Sequence, residues 1–300
     1  MTTEDDKGER TATVSRWLPF SCVDGPGNRL VLFLQGCNFR CPGCHNPHTI
    51  GLCDHCGDCV PGCPSGALTL VEGRPGESRV RWQASLCTHC DRCLDACPRS
   101  ASPKTHQMSV AEVLALLRRY GPLLTGITVS GGEATTQLPF VTDLFTAIKA
   151  APDLTHLSCL LDSNGSLGEA GWQRLLPVLD GAMIDLKGWR DSVHHALTGQ
   201  GRERVLASLQ LLARVGKLAE LRLLHVPGRT DFIDADGKLE AGLVSFLQSL
   251  GPVPIRLNGF RHHGVRGEAL AWQEAAMDEL DGLSNALKVK GFGPISLPPL

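Results

Sequence analysis

Within about fifty residues the chain twice places four cysteines and a proline at one spacing. Cys53, Cys56, Cys59 and Cys63 lead to Pro64, and Cys87, Cys90, Cys93 and Cys97 lead to Pro98. Both runs read C-x2-C-x2-C-x3-C-P. Thiols at this density are disulfide partners, metal ligands or redox groups. Disulfides suit small secreted domains that cannot build a core, and a reducing cytosol disfavours them. This chain has 300 residues, 42% of them hydrophobic, so it needs no staples. Its N-terminal stretch is polar and lacks the apolar segment of a secretory leader. Zinc sites use paired knuckles with four ligands per ion, and a third cysteine at x2 with a trailing Cys-Pro fits that plan poorly.

The doubled run resembles two-cluster bacterial ferredoxins, in which the fourth cysteine of each run ligates the other cluster. That resemblance implies one [4Fe-4S] cluster on Cys53, Cys56, Cys59 and Cys97, and a second on Cys87, Cys90, Cys93 and Cys63. Both runs fall in a stretch of roughly seventy residues between a strand ending at Gly36 and a helical segment, "SVAEVLALLRRY". A structureless loop of that length is improbable. Residues 49–101 are therefore expected to be an inserted ferredoxin-like domain, and residues 1–48 and 102–300 the discontinuous domain that carries it.

The remainder alternates. "NRLVLFLQG" reads as a strand feeding into Cys37. Strand-like runs "GITVSGGE", "HLSCLLDSNG", "GAMIDLKG", "LAELRLLHVPG" and "VPIRLNGFRHHG" then alternate with segments of helical apolar spacing. Some six strand–helix units imply a parallel sheet with right-handed crossovers, as a barrel or part of one. In such folds chemistry sits at the C-terminal strand ends. The polar and glycine-containing motifs fall at those ends.

Cys37, Cys41 and Cys44 follow a different spacing, C-x3-C-x2-C. Three thiolates on a four-iron cube leave one iron free to bind a substrate. Cys22 is available as a fourth ligand but would close the site, so it is read as a non-ligand; Cys159 lies mid-strand and reads as core. Here the chain resembles the radical S-adenosylmethionine (radical SAM) superfamily. "DGPGNRLVLFLQGCNFRCPGCHN" is similar to the signature of the glycyl-radical-enzyme activating enzymes through Gly25, Gly27, Arg29, Phe33, Gly36, the three cysteines and Asn46. The likeness continues through "SGGEATTQ", "DSNG" and "DLK". With the cysteine-rich insert it most resembles the YjjW-type subgroup. The fold this implies is α/β: a partial (β/α)6 radical SAM barrel with an inserted bacterial-ferredoxin-like domain holding two [4Fe-4S] clusters.

The resemblance also implies an activity. S-adenosylmethionine chelates the open iron of a third [4Fe-4S] cluster and is cleaved reductively to methionine and a 5′-deoxyadenosyl radical. The radical takes a hydrogen from a glycine Cα of a partner glycyl radical enzyme, and a flavodoxin or ferredoxin supplies the electron. Gly131 and Gly132 are expected to let backbone approach the methionine moiety, and Glu133 to accept hydrogen bonds there. Lys187 suits the methionine carboxylate. Asp162, Ser163 and Asp185 are expected to line the same site and to hold a monovalent cation. His225, His262 or His263 would reach the adenosyl group, with His262 the choice among them. The family often has an aromatic residue just before the third cysteine; here that position is Gly43, and His45 is expected to stack in its place.

Formal charge is −2, with 29 basic and 31 acidic side chains, which gives no reason for a nucleic-acid or membrane-surface partner. No apolar run approaches the ~20 residues of a membrane helix, so the expected location is the cytoplasm. Two other readings compete: a radical enzyme acting on a small molecule, and a non-catalytic iron–sulfur electron carrier. The first is disfavoured by the "DGPG" flank, and the second leaves the open triad idle.

Overall fold

The structure, a computed structural model, describes residues 9–73, 76–234 and 236–298. The first eight residues of the polar N-terminal stretch lie outside them. In chain order the strands are β1 (Thr11–Ser21), β2 (Arg29–Leu34), β3 (Leu68–Glu72), β4 (Ser78–Trp82), β5 (His106–Ser109), β6 (Gly126–Gly131), β7 (Ser158–Ser163), β8 (Gly181–Leu186), β9 (Leu218–His225), β10 (Ile255–Gly259) and β11 (Ile295–Ser296). The helices are α1 (Arg92–Asp95), α2 (Val110–Tyr120), α3 (Leu138–Ala150), α4 (Glu169–Leu175), α5 (Asp191–Thr198), α6 (Glu203–Arg214), α7 (Ala241–Leu250) and α8 (Met277–Val289).

Nine strands form one open sheet in the order β11-β10-β9-β8-β7-β6-β2-β1-β5. The six from β2 to β10 are parallel and follow sequence order across the sheet. They are the six runs read from the sequence. Strands buried on both faces carry apolar residues at nearly every position, as in β2, whose Leu30, Val31, Leu32 and Leu34 are all buried. Three strands extend the sheet beyond the sequence reading: β1 pairs antiparallel with β2, β5 antiparallel with β1, and β11 parallel with β10. Helix α5 was also unforeseen; it is eight residues long and follows the "DLKG" turn.

Helix starts obey local chemistry. Ser109 Oγ accepts from Glu112 N while Glu112 Oε2 accepts from Ser109 N, at 3.3 and 2.7 Å, a reciprocal cap for α2. The barrel-type core joins the sheet to α2, α3, α4, α6, α7 and α8 in one apolar cluster. Within it the Trp172 indole N–H donates to Ser208 Oγ at 2.7 Å.

The cysteine-rich segment stands apart from that core. Its two strands, β3 and β4, form a separate antiparallel hairpin. It has a small cluster of its own around Cys59, Leu68, Val80, Cys93 and Leu94. The chain leaves and returns side by side, with Gly51 N donating to Ser100 O at 2.8 Å. The sequence repeat recurs in the backbone: His55 and His89, each one residue before the second cysteine of its run, both adopt the left-handed region, with φ of 63° and 54°. Arg266, in the loop after β10, fastens the segment to the barrel through Leu94 O at 2.8 Å and Asp95 at 2.9 Å.

Candidate active site

The C-terminal ends of the parallel strands meet at one cavity of about 700 Å3. Cys37, Cys41 and Cys44 line it from the loop after β2. Gly131, Gly132 and Glu133 follow β6, Asp162 and Ser163 end β7, and Asp185 and Lys187 flank the end of β8. Gly43 and His45 complete the set brought together from the sequence. Cys22 begins the loop beyond the opposite end of β2, beside the Ser21–Arg29 pair, and is exposed. A six-residue strand, about 20 Å long, thus lies between it and Cys37.

Burial raises all three thiols, Cys37 to about 12 and Cys41 to about 11; the Lys187 charge opposes the rise at Cys41 and Cys44. Such thiols bind as thiolates only where a metal takes the proton's place. Phe39 N donates to Cys37 Sγ at 3.4 Å, turning an amide toward the sulfur.

Gly131 and Gly132 line the cavity and also meet a demand within the fold. A Cβ on Gly131, where φ is +137°, would lie 2.1 Å from Leu34 O, and one on Gly132 would lie 2.5 Å from Gly36 O and 2.6 Å from Thr49 O. The glycines bring the end of β6 against the backbone that carries the cysteine loop. Glu133 N completes that seam by donating to Gly36 O at 2.8 Å.

The Glu133 side chain is also committed. Oε1 accepts from Thr135 N at 3.0 Å, Thr135 Oγ1 at 2.6 Å and Ser163 Oγ at 2.9 Å, while Oε2 accepts from Asn164 N at 2.6 Å. Burial raises its carboxyl, and these donors pull the other way. It clasps the loops after β6 and β7 and so acts as a positioning residue.

The charged wall has a member that the sequence reading missed. Arg222, on β9, donates to Asp162 Oδ1 at 2.9 Å and to Glu220 Oε1 at 2.7 Å. A signal was available: in "LAELRLLH" Glu220 and Arg222 stand two apart, on one face of a strand whose other residues are mostly apolar. Lys187 Nζ pairs with Asp185 Oδ2 at 2.7 Å. Burial raises Asp162, against the pull of Arg222. Burial opposes ionisation of Asp185 too, but Lys187 and Arg222 outweigh it and hold the carboxyl below its usual range. Lys187 is raised despite burial, chiefly by Asp185 and then Cys41. The oxygens expected for a monovalent cation are therefore answered from within the chain: Asp162 by Arg222 and Ser130 Oγ, Asp185 by Lys187, while the Ser163 hydroxyl is donated to Glu133.

His262 does not line the cavity. Its Nε2 lies 2.8 Å from Trp272 O and its Nδ1 faces Glu274 at 3.6 Å. His225 turns toward Thr230 and Glu279. The end of β10 and the loop after it contribute Asn258, Phe260 and Arg261 instead, with Trp272 further along that loop. Position 43 explains this wall: a Cβ on Gly43 would lie 3.1 Å from Phe260 Cε2 and 3.2 Å from Trp272 Cζ3. Two rings from a distant segment occupy the space that a side chain there would need. His45 sits against Phe260, ring centroids 6.4 Å apart and tilted.

The signature arginine is elsewhere. Arg29 is fully buried at the start of β2, where it donates to Pro26 O, Ile127 O, Thr128 Oγ1 and both oxygens of Ser158 at 2.6–3.2 Å. It braces β2, β6 and β7 at the end remote from the cavity.

In the cysteine-rich segment, Cys53, Cys56, Cys59 and Cys97 line one small cavity, and Cys63, Cys87, Cys90 and Cys93 another. Among the described residues no three His, Cys, Asp or Glu side chains are set to hold a single metal ion. Nor is any helix among them long and apolar enough to cross a membrane.

A six-stranded parallel sheet with three cysteines leaving its first strand and a charged cavity at the strand ends defines a class. Residues 31–233 match the Radical SAM superfamily, and the chain belongs to that superfamily. It is 30% identical to the pyruvate formate-lyase-activating enzyme of Streptococcus mutans, over 74% of this chain and 68% of that one. It is 30% identical to the benzylsuccinate synthase activating enzyme of Thauera aromatica, over 91% and 88%. Among solved structures, QueE from Escherichia coli superposes with a TM-score of 0.52 at 13% identity, covering 97% of this chain and 95% of that one, which speaks to fold.

Proposed function

We propose that this radical SAM enzyme activates a glycyl radical enzyme, and that within the family it is of the YjjW type. The observation that carries the reading is the convergence of Cys37, Cys41 and Cys44 with Glu133, Asp162, Asp185 and Lys187 on one cavity, in a chain related over most of its length to activating enzymes. The three buried thiols suit an iron–sulfur cluster with one iron left open. Bound there, such a cluster supplies the electron that cleaves S-adenosylmethionine to methionine and a 5′-deoxyadenosyl radical.

The chain's own residues then bind and orient. Lys187 offers the methionine carboxylate a cation held in place by Asp185. Glu133 fixes the loops after β6 and β7, so the oxygens and amides at their tips keep a constant place. The substrate joins a charged end to a flat base, and the cavity is divided in the same way. Its charged wall is Asp162, Asp185, Lys187 and Arg222; its apolar wall is Phe260 and Trp272, with Leu224 and Val226 beside them. The base would lie against the apolar wall, which would also keep water from that end of the cavity. Asp162, Ser163 and Asp185 keep oxygen lone pairs beyond the bonds they make within the chain and are the residues that would hold a monovalent cation; no step is drawn through one.

For the cysteine-rich segment we infer two clusters, a reading supported by the shared cavities of Cys53, Cys56, Cys59 and Cys97 and of Cys63, Cys87, Cys90 and Cys93. With the triad that makes three. A flavodoxin or ferredoxin is the donor, and residues 49–101 form the domain that receives its electron. The test is anaerobic reconstitution with S-adenosylmethionine, a reductant and a candidate glycyl radical enzyme. The expected result is 5′-deoxyadenosine together with a glycyl radical detected by electron paramagnetic resonance in the partner. Cleavage without a radical on any partner points to a small-molecule substrate, and no cleavage to an electron carrier.

A further inference from the structure

The two four-cysteine cavities have the same sulfur ligands and different surroundings. The cavity of Cys53, Cys56, Cys59 and Cys97 is lined by two carboxylates, Asp54 and Asp58, with no basic lining residue. Arg99, outside the lining, pairs with Asp54 and lies 4.0 Å from Asp58, and its Nη1 is 3.6 Å from Cys56 Sγ. One cation thus answers two anions, and all three side chains are about half exposed, Arg99 at 42%, Asp54 at 46% and Asp58 at 56%, so water screens their charges. The cavity of Cys63, Cys87, Cys90 and Cys93 is lined by Lys104, Asp91 and the indole of Trp82. Lys104 is largely buried, its side chain 14% exposed, whereas its partner Asp91 is 54% exposed and spends its charge toward water.

Trp82 adds a second difference. Its indole Nε1–H is buried and finds no acceptor among the described residues. Buried donors are almost always paired, so this one calls for an acceptor that the polypeptide does not supply. The ring also forms the partition between this cavity and a larger one, about 420 Å3, between the segment and the barrel. There His106 meets it edge-on at 5.2 Å and meets Trp17 at the same distance on the other side.

Iron–sulfur potentials rise with hydrogen bonds to the sulfurs and with positive charge nearby, because both stabilise the added electron. From the orphan indole N–H and the buried ammonium on one side, against a half-exposed arginine shared by two half-exposed carboxylates on the other, we infer that the cluster held by Cys63, Cys87, Cys90 and Cys93 is the more readily reduced of the two, and that Trp82 and Lys104 set the difference. This rests on the reading that the segment holds two clusters. Trp82 and Lys104 act as positioning residues toward the cluster. An electron delivered to the segment by a low-potential one-electron donor settles on the side where Trp82 faces the barrel.

The test uses the full chain carrying Cys37→Ala, Cys41→Ala and Cys44→Ala, so that only the segment's clusters remain, reconstituted anaerobically. Iron and sulfide analysis comes first. About eight of each per chain meets the underlying reading; about four or fewer fails that reading, and the inference with it. A redox titration with titanium(III) citrate, followed by electron paramagnetic resonance, should then resolve two unequal midpoints. Trp82→Phe keeps the ring and deletes the N–H; Lys104→Gln deletes the charge. Each should shift the higher midpoint downward and leave the lower in place, whereas Asp54→Asn should shift only the lower one, upward. Equal midpoints in the parent overturn the inference. So does a Trp82→Phe or Lys104→Gln variant that holds its iron and moves neither midpoint, or moves the lower one. Should Trp82→Phe fail to retain iron, Lys104→Gln decides alone.

Discussion

Replacing Arg222 with methionine removes the guanidinium and keeps most of the stem. Arg222 is 11% exposed and bridges Asp162, 19% exposed, and Glu220, 20% exposed. After the change Asp162 keeps a single donor, Ser130 Oγ at 2.9 Å. Removing one partner of a buried ion pair costs about 3–5 kcal/mol, because the other charge stays buried and unanswered. Taking about 3 kcal/mol, and about 2–4 °C per kcal/mol for a chain of this size, the melting temperature should fall by roughly 6–12 °C. The loss should depend on pH, and its sign follows from the carboxyl. Burial already raises Asp162 above the ordinary value in the native protein, and losing Arg222 raises it further. A group whose folded value lies above its unfolded value destabilises the fold when ionised. The deficit of Arg222→Met is therefore full above the raised value and shrinks as pH falls through it toward the usual carboxylate range near ~3.9. Urea unfolding of parent and variant from pH 8 down toward that carboxylate range measures this. A difference below about 1 kcal/mol at the upper end, or one that does not shrink toward the lower, would refute the assignment of Arg222 as the counter-charge.

Three further outcomes follow from the same geometry. Gly43→Val should destabilise by about 1–3 kcal/mol through overpacking against Phe260 and Trp272; combined with Phe260→Ala it should cost less than the sum of the two, in a thermal-denaturation double-mutant cycle. Glu133→Gln places an amide where four donors converge, leaves at least one of them facing another donor, and should cost about 1–3 kcal/mol per orphaned donor by chemical denaturation. Arg29→Met should lower stability by several hydrogen bonds of about 1 kcal/mol each, yet leave S-adenosylmethionine affinity unchanged per folded molecule, as measured by equilibrium binding.

The six parallel strands were legible because doubly buried strands leave an apolar run that ends in a polar motif. Strand β1 was not legible in that way. "TATVSRWLPFS" alternates and ends in proline and serine, and only its pairing with β2 on one side and β5 on the other makes it a strand. Helix α5 is short, and its C-terminus is fixed by Gly199 at φ +76° and by Arg40 N donating to Thr198 O at 2.8 Å, a contact across more than 150 residues. The positions of the two glycines and Glu133 were legible, as was the role of Glu133 as an acceptor for backbone N–H groups, but the particular neighbours were not. Their neighbours are Leu34, Gly36, Thr49 and Asn164, which the sequence scatters over more than a hundred positions.

The sequence by itself determined the cysteine groups and the class of chemistry. Metal spacing is a local property, so C-x3-C-x2-C and the doubled C-x2-C-x2-C-x3-C can be read within a dozen residues. It also determined which strand ends carry polar groups, because residues two apart on a strand share a face. Tertiary structure alone decided which charges answer one another. Asp162 meets Arg222 across sixty positions, Phe260 and Trp272 fill the space above Gly43, and His262 turns outward to a carbonyl. The reason is physical. A ligand set is specified by chemistry close along the chain, whereas desolvated charges and packed rings are specified by whatever the fold brings within 3–4 Å, a distance that sequence separation does not encode.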